Sequence, residues 1–311
     1  MGLLISALAI AAGIAFLYFG GDVLVDGATA LARSLGISPL VVGLTVVSFA
    51  TSAPELAATL TAAFQGAPDM ALGNVIGSNI ANVALILGLT ATLAAVPASG
   101  AFIRRDVAFM IVATALIYPV LGGGAITRLE GAALLVALAT FIGLLLYTTR
   151  GDVLGSGDAP IAMTRGRAIL YVAGGVVMLV LGAQVLIYGA VDIARTFGVS
   201  ERVIGLTLLA FGTSLPELAA CIVAVRKGEA DIVLGNVVGS NIFNLLCILG
   251  TTAVVHPIAV APAARGLDFA VMAGTSVLLL VVLVLRRRVG RASGLLLLTT
   301  YVVYTIYLLR G

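Results

Sequence analysis

Charge is what this sequence lacks most. Asp, Glu, Lys and Arg make up 10% of its 311 residues, whereas a water-soluble globular chain carries about 25%. Tryptophan is absent, His256 is the one histidine, and Cys221 and Cys247 are the two cysteines. Each scarcity excludes something. Two cysteines in apolar helical sequence are read as small buried residues, not as a disulfide or a metal pair. His256 precedes Pro257 at an expected helix end and is assigned to the membrane interface, not to proton sensing. Without Trp, interfacial anchoring falls to Tyr and Phe, such as Tyr301, Tyr304 and Tyr307. The net charge is only +3, with basic residues scattered between apolar segments, so no nucleic-acid surface is expected.

Apolar sequence fills the space that charge leaves. The chain is 61% hydrophobic with a mean hydropathy of +1.20, which makes it an integral membrane protein. Its 37 glycines suit closely packed membrane helices. A span takes about 20 apolar residues. On that ruler ten helices are expected, near 3–32, 39–65, 69–95, 106–122, 129–148, 168–194, 202–226, 231–255, 267–286 and 293–309. The first is too long and too rich in glycine for a cleaved signal peptide. One hydrophilic linker, 149–166, divides the chain into five-helix halves, 1–148 and 167–311.

With five spans each, the halves enter the membrane in opposite senses. Basic residues test this. With the N-terminus outside, the inner loops collect Arg33, Arg104, Arg105, Arg150, Arg165, Arg167, Arg226, Lys227, Arg286, Arg287, Arg288 and Arg291. The outer segments hold Arg128, Arg195, Arg202, Arg265 and Arg310. That is 12 against 5, all 17 basic residues. The bias supports a cytoplasmic linker and both termini outside.

The halves also repeat each other. Residues 48–88 and 210–250 align without a gap at an offset of 162 and are identical at 23 of 41 positions. Ser48, Thr51, Ser52 and Glu55 share one helical face in the first copy, matched by Ala210, Thr213, Ser214 and Glu217. Pro54 and Pro216 lack an N–H, so they free the carbonyls of Ala50 and Gly212. The next helix carries Asn74, Ser78, Asn79 and Asn82, matched by Asn236, Ser240, Asn241 and Asn244. Gly73, Gly77, Gly235 and Gly239 permit close approach or a local break. An ionisable group at membrane depth is costly, so two equivalent glutamates point to a shared task. Inverting one copy on the other brings Glu55 and Glu217 together at the midplane. The donors are carboxylates, hydroxyls, amides and carbonyls, a set that suits hard cations.

The paired TSxPE and GNxxGSNIxN elements resemble the α-repeats of the cation/Ca2+ exchanger superfamily, in its sodium/calcium exchanger branch as found in prokaryotes. The resemblance implies an all-α protein of ten transmembrane helices in two inverted repeats, with helices 2, 3, 7 and 8 broken around the ion site. It implies no cofactor; Ca2+ and Na+ are the transported ions. By position, Glu55 and Glu217 match the central Ca2+ ligands, and Thr51 and Thr213 match residues lending carbonyls and hydroxyls. Ser52 with Ser78, and Ser214 with Ser240, match Na+ ligands toward the two faces. Ser48 and Ala210 match positions whose carbonyls bind Na+, and Asn82 and Asn244 match a central polar pair. Asn244 stands where potassium-dependent relatives carry Asp, so transport is expected to be K+-independent. Ala50 replaces the usual glycine.

Asn74, Asn79, Asn236 and Asn241 are expected to serve helix packing, and Asp69 and Asp231 to cap helices. Asp22 and Asp26 are read as polar packing or interfacial residues. The expected activity is electrogenic exchange of Na+ for Ca2+ by a monomer in a prokaryotic plasma membrane. A proton-coupled Ca2+ antiporter is the nearest alternative, because buried carboxylates can carry protons. A cation channel is the alternative from another class, against which the inverted halves argue. An enzyme is not expected, since HExxH, GxSxG and paired aspartyl motifs are missing.

Overall fold

The computed structural model describes residues 2–149, 163–199, 204, 210–261 and 266–310. It is nearly all helix. The helices are α1 (Leu3–Leu35), α2 (Pro39–Thr51), α3 (Ala53–Phe64), α4 (Pro68–Leu93), α5 (Gly100–Gly123) and α6 (Arg128–Thr148). The second half holds α7 (Arg165–Thr196), which takes in the last two residues of the expected linker, then α8 (Ala210–Gly212), α9 (Leu215–Arg226), α10 (Ala230–Val255), α11 (Leu267–Arg286) and α12 (Arg291–Arg310). Among the described residues eight helices are long and apolar enough to span a membrane, and α2 with α3 forms a ninth, bent by 42°. The expected span 202–226 falls partly outside the described residues, as do most of the linker, the side chain of Ala210, and Arg150, Arg202 and Arg265.

Local chemistry accounts for the helix ends. Gly36 closes α1 in the left-handed region at φ 67, returning its N–H to the carbonyls of Ala32 and Arg33. Thr127 and Glu130 form a capping box at the start of α6. The fourth span begins at Gly100, six residues before the expected 106, because Ser99 caps it and accepts from the N–H of Phe102. Arg104, Arg105 and Asp106 therefore lie inside a helix. Arg105 makes a bidentate pair with buried Asp106, at 2.9 Å for each bond, which makes the polar stretch tolerable there.

The breaks differ from expectation in two ways. Helix 2 bends at Ser52, so Pro54 is the second residue of α3 and occupies a first turn, where its missing N–H does no harm. Pro216 stands likewise in α9, after the turn at Thr213 and Ser214. Helices 3 and 8, expected to be broken, are continuous. Neither has an interior proline; each instead widens into a π-helical stretch, Ala81–Leu87 in α4 and Asn244–Ile248 in α10. Asp69 and Asp231 also do not cap: each is one residue inside its helix, and no side-chain capping bond forms. Pro68 at the head of α4 needs no capped N–H.

Two features bind the halves. Antiparallel α1 and α7 meet along glycines seven apart, Gly13, Gly20 and Gly27 against Gly175, Gly182 and Gly189. A Cβ added at Gly175 would stand 2.6 Å from the N of Leu24, so the backbones touch. Short antiparallel ribbons join Val96–Pro97 to Arg288–Val289 and Ala125–Ile126 to Ile258–Ala259. The offset of 162 carries Val96–Pro97 onto Ile258–Ala259, and the partner strands correspond at an offset of 163. The centre is held by α4 and α10, between which the polar motif residues meet.

Candidate functional site

Both glutamates are buried, Glu55 at 1% exposure on α3 and Glu217 at 2% on α9. The hydroxyl of Ser214, three residues before Glu217, reaches Glu55, so the two carboxylates occupy one region. Residues of opposite halves surround each one. Ser214 donates from Oγ to Glu55 Oε1 at 3.3 Å, and Thr213 stands nearby. Thr51 and Ser52 flank Glu217. The hydroxyls of Ser52 and Thr213 make no hydrogen bond of proper geometry, and neither does Oε2 of either glutamate. Both side-chain atoms of buried Asn244 are also without a partner. The result is a buried group of polar atoms from both halves, several of them without a hydrogen-bond partner among the described residues. That arrangement is untenable without a cation or a proton to neutralise it.

The rest of the expected set lies on the neighbouring helices. Ser78, Asn82, Ser240 and Asn244 are buried on α4 and α10. Asn82 and Asn244 both stand in the π-helical stretches, where the widened turn rotates the side chain relative to regular helix. Ser48 is buried at the end of α2, its hydroxyl donating to the carbonyl of Gly43 at 2.7 Å and lying 3.2 Å from those of Gly235 and Asn236. Ala210 opens α8.

A supporting layer of asparagines was read in the sequence only as packing. Asn236 accepts from Thr51 Oγ1 at 3.2 Å and Ser240 Oγ at 3.4 Å, and donates to Cys221 Sγ. Asn74 donates to the carbonyl of Glu55 and to Thr59 Oγ1. Asn241 accepts from Asn82 Nδ2 at 3.1 Å. Their identity in both copies was the available signal. A second omission lies at one mouth of the molecule. Lys227, after α9, pairs with Asp22 and Asp26 of α1 at 2.7 Å each, beside a cavity of about 310 Å³ lined also by Arg33 and Glu229.

Comparison with known proteins agrees with this architecture. The model of the sodium/calcium exchanger protein family matches residues 5–147 and 167–310. CaxA of Alkalimonas amylolytica is 39% identical, covering 97% of this chain and 98% of that one. The sodium/calcium exchanger MaX1 of Methanosarcina acetivorans is 35% identical over 95% and 96% of the two chains. A solved structure of the sodium-calcium exchanger NCX_Mj, soaked with Na+ and Sr2+, superimposes with a TM-score of 0.85 at 28% identity, covering 98% of each chain. With both halves matched and the fold shared end to end, the chain belongs to the sodium/calcium exchanger family.

Proposed function

We propose that the chain exchanges Na+ for Ca2+ by alternating access, the two ions competing for the carboxylate pair. The family makes it a cation/Ca2+ antiporter, and its named relatives are exchangers, not enzymes. Support for the finer reading comes from one observation: two buried glutamates, each with a free oxygen, among hydroxyl and amide oxygens from both halves. Ionised together they carry a formal charge of −2. One Ca2+ neutralises this, and so do two Na+, so either occupancy relieves the repulsion. An additional Na+ leaves the loaded site positive, and its crossing is then worth about 2.3 kcal/mol per charge per 100 mV.

In this reading Glu55 and Glu217 hold Ca2+ centrally, with Thr51, Thr213, Asn82 and Asn244 completing the polar shell. Ser52 with Ser78 and Ser214 with Ser240 hold Na+ toward the two faces. Ser48 contributes its carbonyl, since its hydroxyl is engaged by Gly43, and Ala210 does the same. Asn244 in place of an aspartate keeps K+ out of the cycle. Residues 1–148 and 167–311 are the inverted repeats, and 149–166 is a cytoplasmic linker. Both termini lie outside the plasma membrane of a prokaryotic cell.

Ca2+ uptake into proteoliposomes tests the coupling ion, with Na+, K+ and pH gradients imposed separately. Uptake driven by an outward Na+ gradient alone is expected, stimulated by an inside-negative-to-positive shift in membrane potential. Uptake driven only by a proton gradient refutes the reading.

A further inference from the structure

The two antiparallel ribbons mark equivalent corners of the two halves, and the charges at those corners differ. Where Val96–Pro97 pairs with Arg288–Val289, the start of α5 meets the turn between α11 and α12. Arg104, Arg286, Arg287, Arg288 and Arg291 are all exposed there, and none has an acidic partner among the described residues. At the other ribbon, Arg104, Arg286, Arg287 and Arg288 answer to Gly266, Gly123, Gly124 and Ala125. Among the described residues only Arg291 meets a like one, Arg128.

Two details single out this corner. Arg287 lies in the left-handed region at φ 53, where its counterpart Gly124, at φ 77, lies without steric cost. The turn thus carries a guanidinium at a place that disfavours any side chain. That guanidinium and the one of Arg104 converge over Gly100. A Cβ added to Gly100 would collide with Arg287 Nη1 and stand 3.4 Å from Arg104 Nη1. Two cations facing one bare glycine, with no carboxylate of the described residues between them, form a receptor for an anion. The adjoining surface is apolar: Leu285, just before Arg286, is 76% exposed, and Leu295 and Leu296, one turn beyond Arg291, are exposed as well. A soluble anion has no use for that surface, whereas acyl chains do.

We propose that this corner binds the headgroup of an anionic phospholipid. The phosphate is held between Arg104 and Arg287, and the chains lie along the apolar ends of α11 and α12. Arg286, Arg288 and Arg291 supply the surrounding positive field. A guanidinium meets a phosphate through two parallel N–H···O bonds, a geometry that an ammonium lacks. In the proposed orientation the corner lies at the cytoplasmic leaflet, whose anionic lipids attract basic segments beside a membrane helix. Setting topology requires only that basic residues lie in the inner loops, not that guanidiniums converge on one point. The inference takes from that orientation only which leaflet supplies the lipid, and it is independent of the ions transported.

Native mass spectrometry of the full chain in detergent micelles tests this by titration with dioleoyl phosphatidylglycerol, dioleoyl phosphatidylcholine or inorganic phosphate. Retention of phosphatidylglycerol alone is expected. An arginine beside an anionic lipid is worth about fivefold in affinity, so Arg104→Gln combined with Arg287→Gln should raise half-saturation about thirtyfold. Gly100→Leu keeps every charge but wedges the two guanidiniums apart, and it should raise half-saturation about fivefold. It also carries the test should the double variant fail to fold. Arg128→Gln, at the matching place by the other ribbon, should leave binding unchanged. Equal retention of phosphatidylcholine, or half-saturation that the double variant leaves unaltered, overturns the proposal. So does a loss that Gly100→Leu does not share or that Arg128→Gln matches, since either would reduce the corner to diffuse charge. Occupancy by inorganic phosphate in preference to lipid overturns it too, and would assign the arginines to a soluble anion.

Discussion

The hairpin of α9 and α10 and the hairpin of α3 and α4 are built from matching residues, yet only one is seated. Of the most apolar stretch of each long helix, 94% is buried in α10 and 78% in α4. A Cβ added to Gly235 would lie 2.7 Å from the carbonyl of Leu40, and one on Gly239 would lie 2.7 Å from that of Leu44. A Cβ added at Gly73 or Gly77, their mates on α4, would meet no atom of the described residues within 4 Å beyond its own stretch of helix. The same GNxxGSN segment thus makes a tight backbone contact on one side, while on the other the mates of Leu40 and Leu44, residues 202 and 206, lie outside the described residues. A motif present twice can encode both an open and a closed hairpin.

The largest effect is expected where the hairpins stop differing, at the glutamates they share. Replacing either one, Glu55→Gln or Glu217→Gln, halves the site's formal charge and removes an anionic ligand from the centre. Ca2+ exchange in proteoliposomes should fall to background in both variants, with the far-ultraviolet circular dichroism unchanged. Wild-type flux in either variant refutes a site shared between the halves. Loss in only one would mean that a single hairpin carries the ion.

Glycine substitutions sharpen the packing contrast. Gly235→Ala forces a methyl group against backbone that cannot turn aside, an overpacking that costs about 1–3 kcal/mol. Gly73→Ala meets nothing and replaces the poorer helix former, so its effect should stay within about 1 kcal/mol in the stabilising direction. Thermal unfolding in detergent separates the two. Equal losses of stability at both positions would mean that the two segments are packed alike in solution.

How far the sequence could be read follows the same division. The two glutamates, their hydroxyl neighbours and most span limits were legible because each depends on residue type and local spacing. Glu55 and Glu217 announce themselves by being ionisable in apolar sequence. The fourth span was started six residues late, because Arg104 and Arg105 were read as an inner loop. Only the fold shows Arg105 lying along Asp106. Helices 3 and 8 were expected to break at glycines, whereas backbone widening at Asn82 and Asn244 has no composition signal of its own. The different hydrogen-bond partners of Asn79 and Asn241 were beyond reach for another reason: the residues are identical, and only the fold distinguishes their surroundings.

The smallest effect is expected at the mouth of the closed side, where the hairpins do differ in residue type. Lys227 bridges to Asp22 and Asp26, tying the turn after α9 to α1 across 205 positions of sequence. The repeat mates are Gln65, Gln184 and Tyr188, which can form no such ion pair. Burial works against the charge on Lys227, but hydrogen bonds to Asp22 and Asp26, and their charges, hold its ammonium above the ordinary lysine value. A raised value means that the pairing contributes fully below the ordinary pKa of 10.5 and is lost as pH rises through the raised one. The pairing is therefore complete at neutral pH. Because the partners are substantially exposed, Lys227→Gln should loosen the closed side by no more than about 1 kcal/mol. The loss should shrink further as salt is raised. Hydrogen exchange in 227–243 reads it: a modest rise at low salt that fades at high salt is expected. A rise insensitive to salt would show that Lys227 acts by packing its stem and not by its charge.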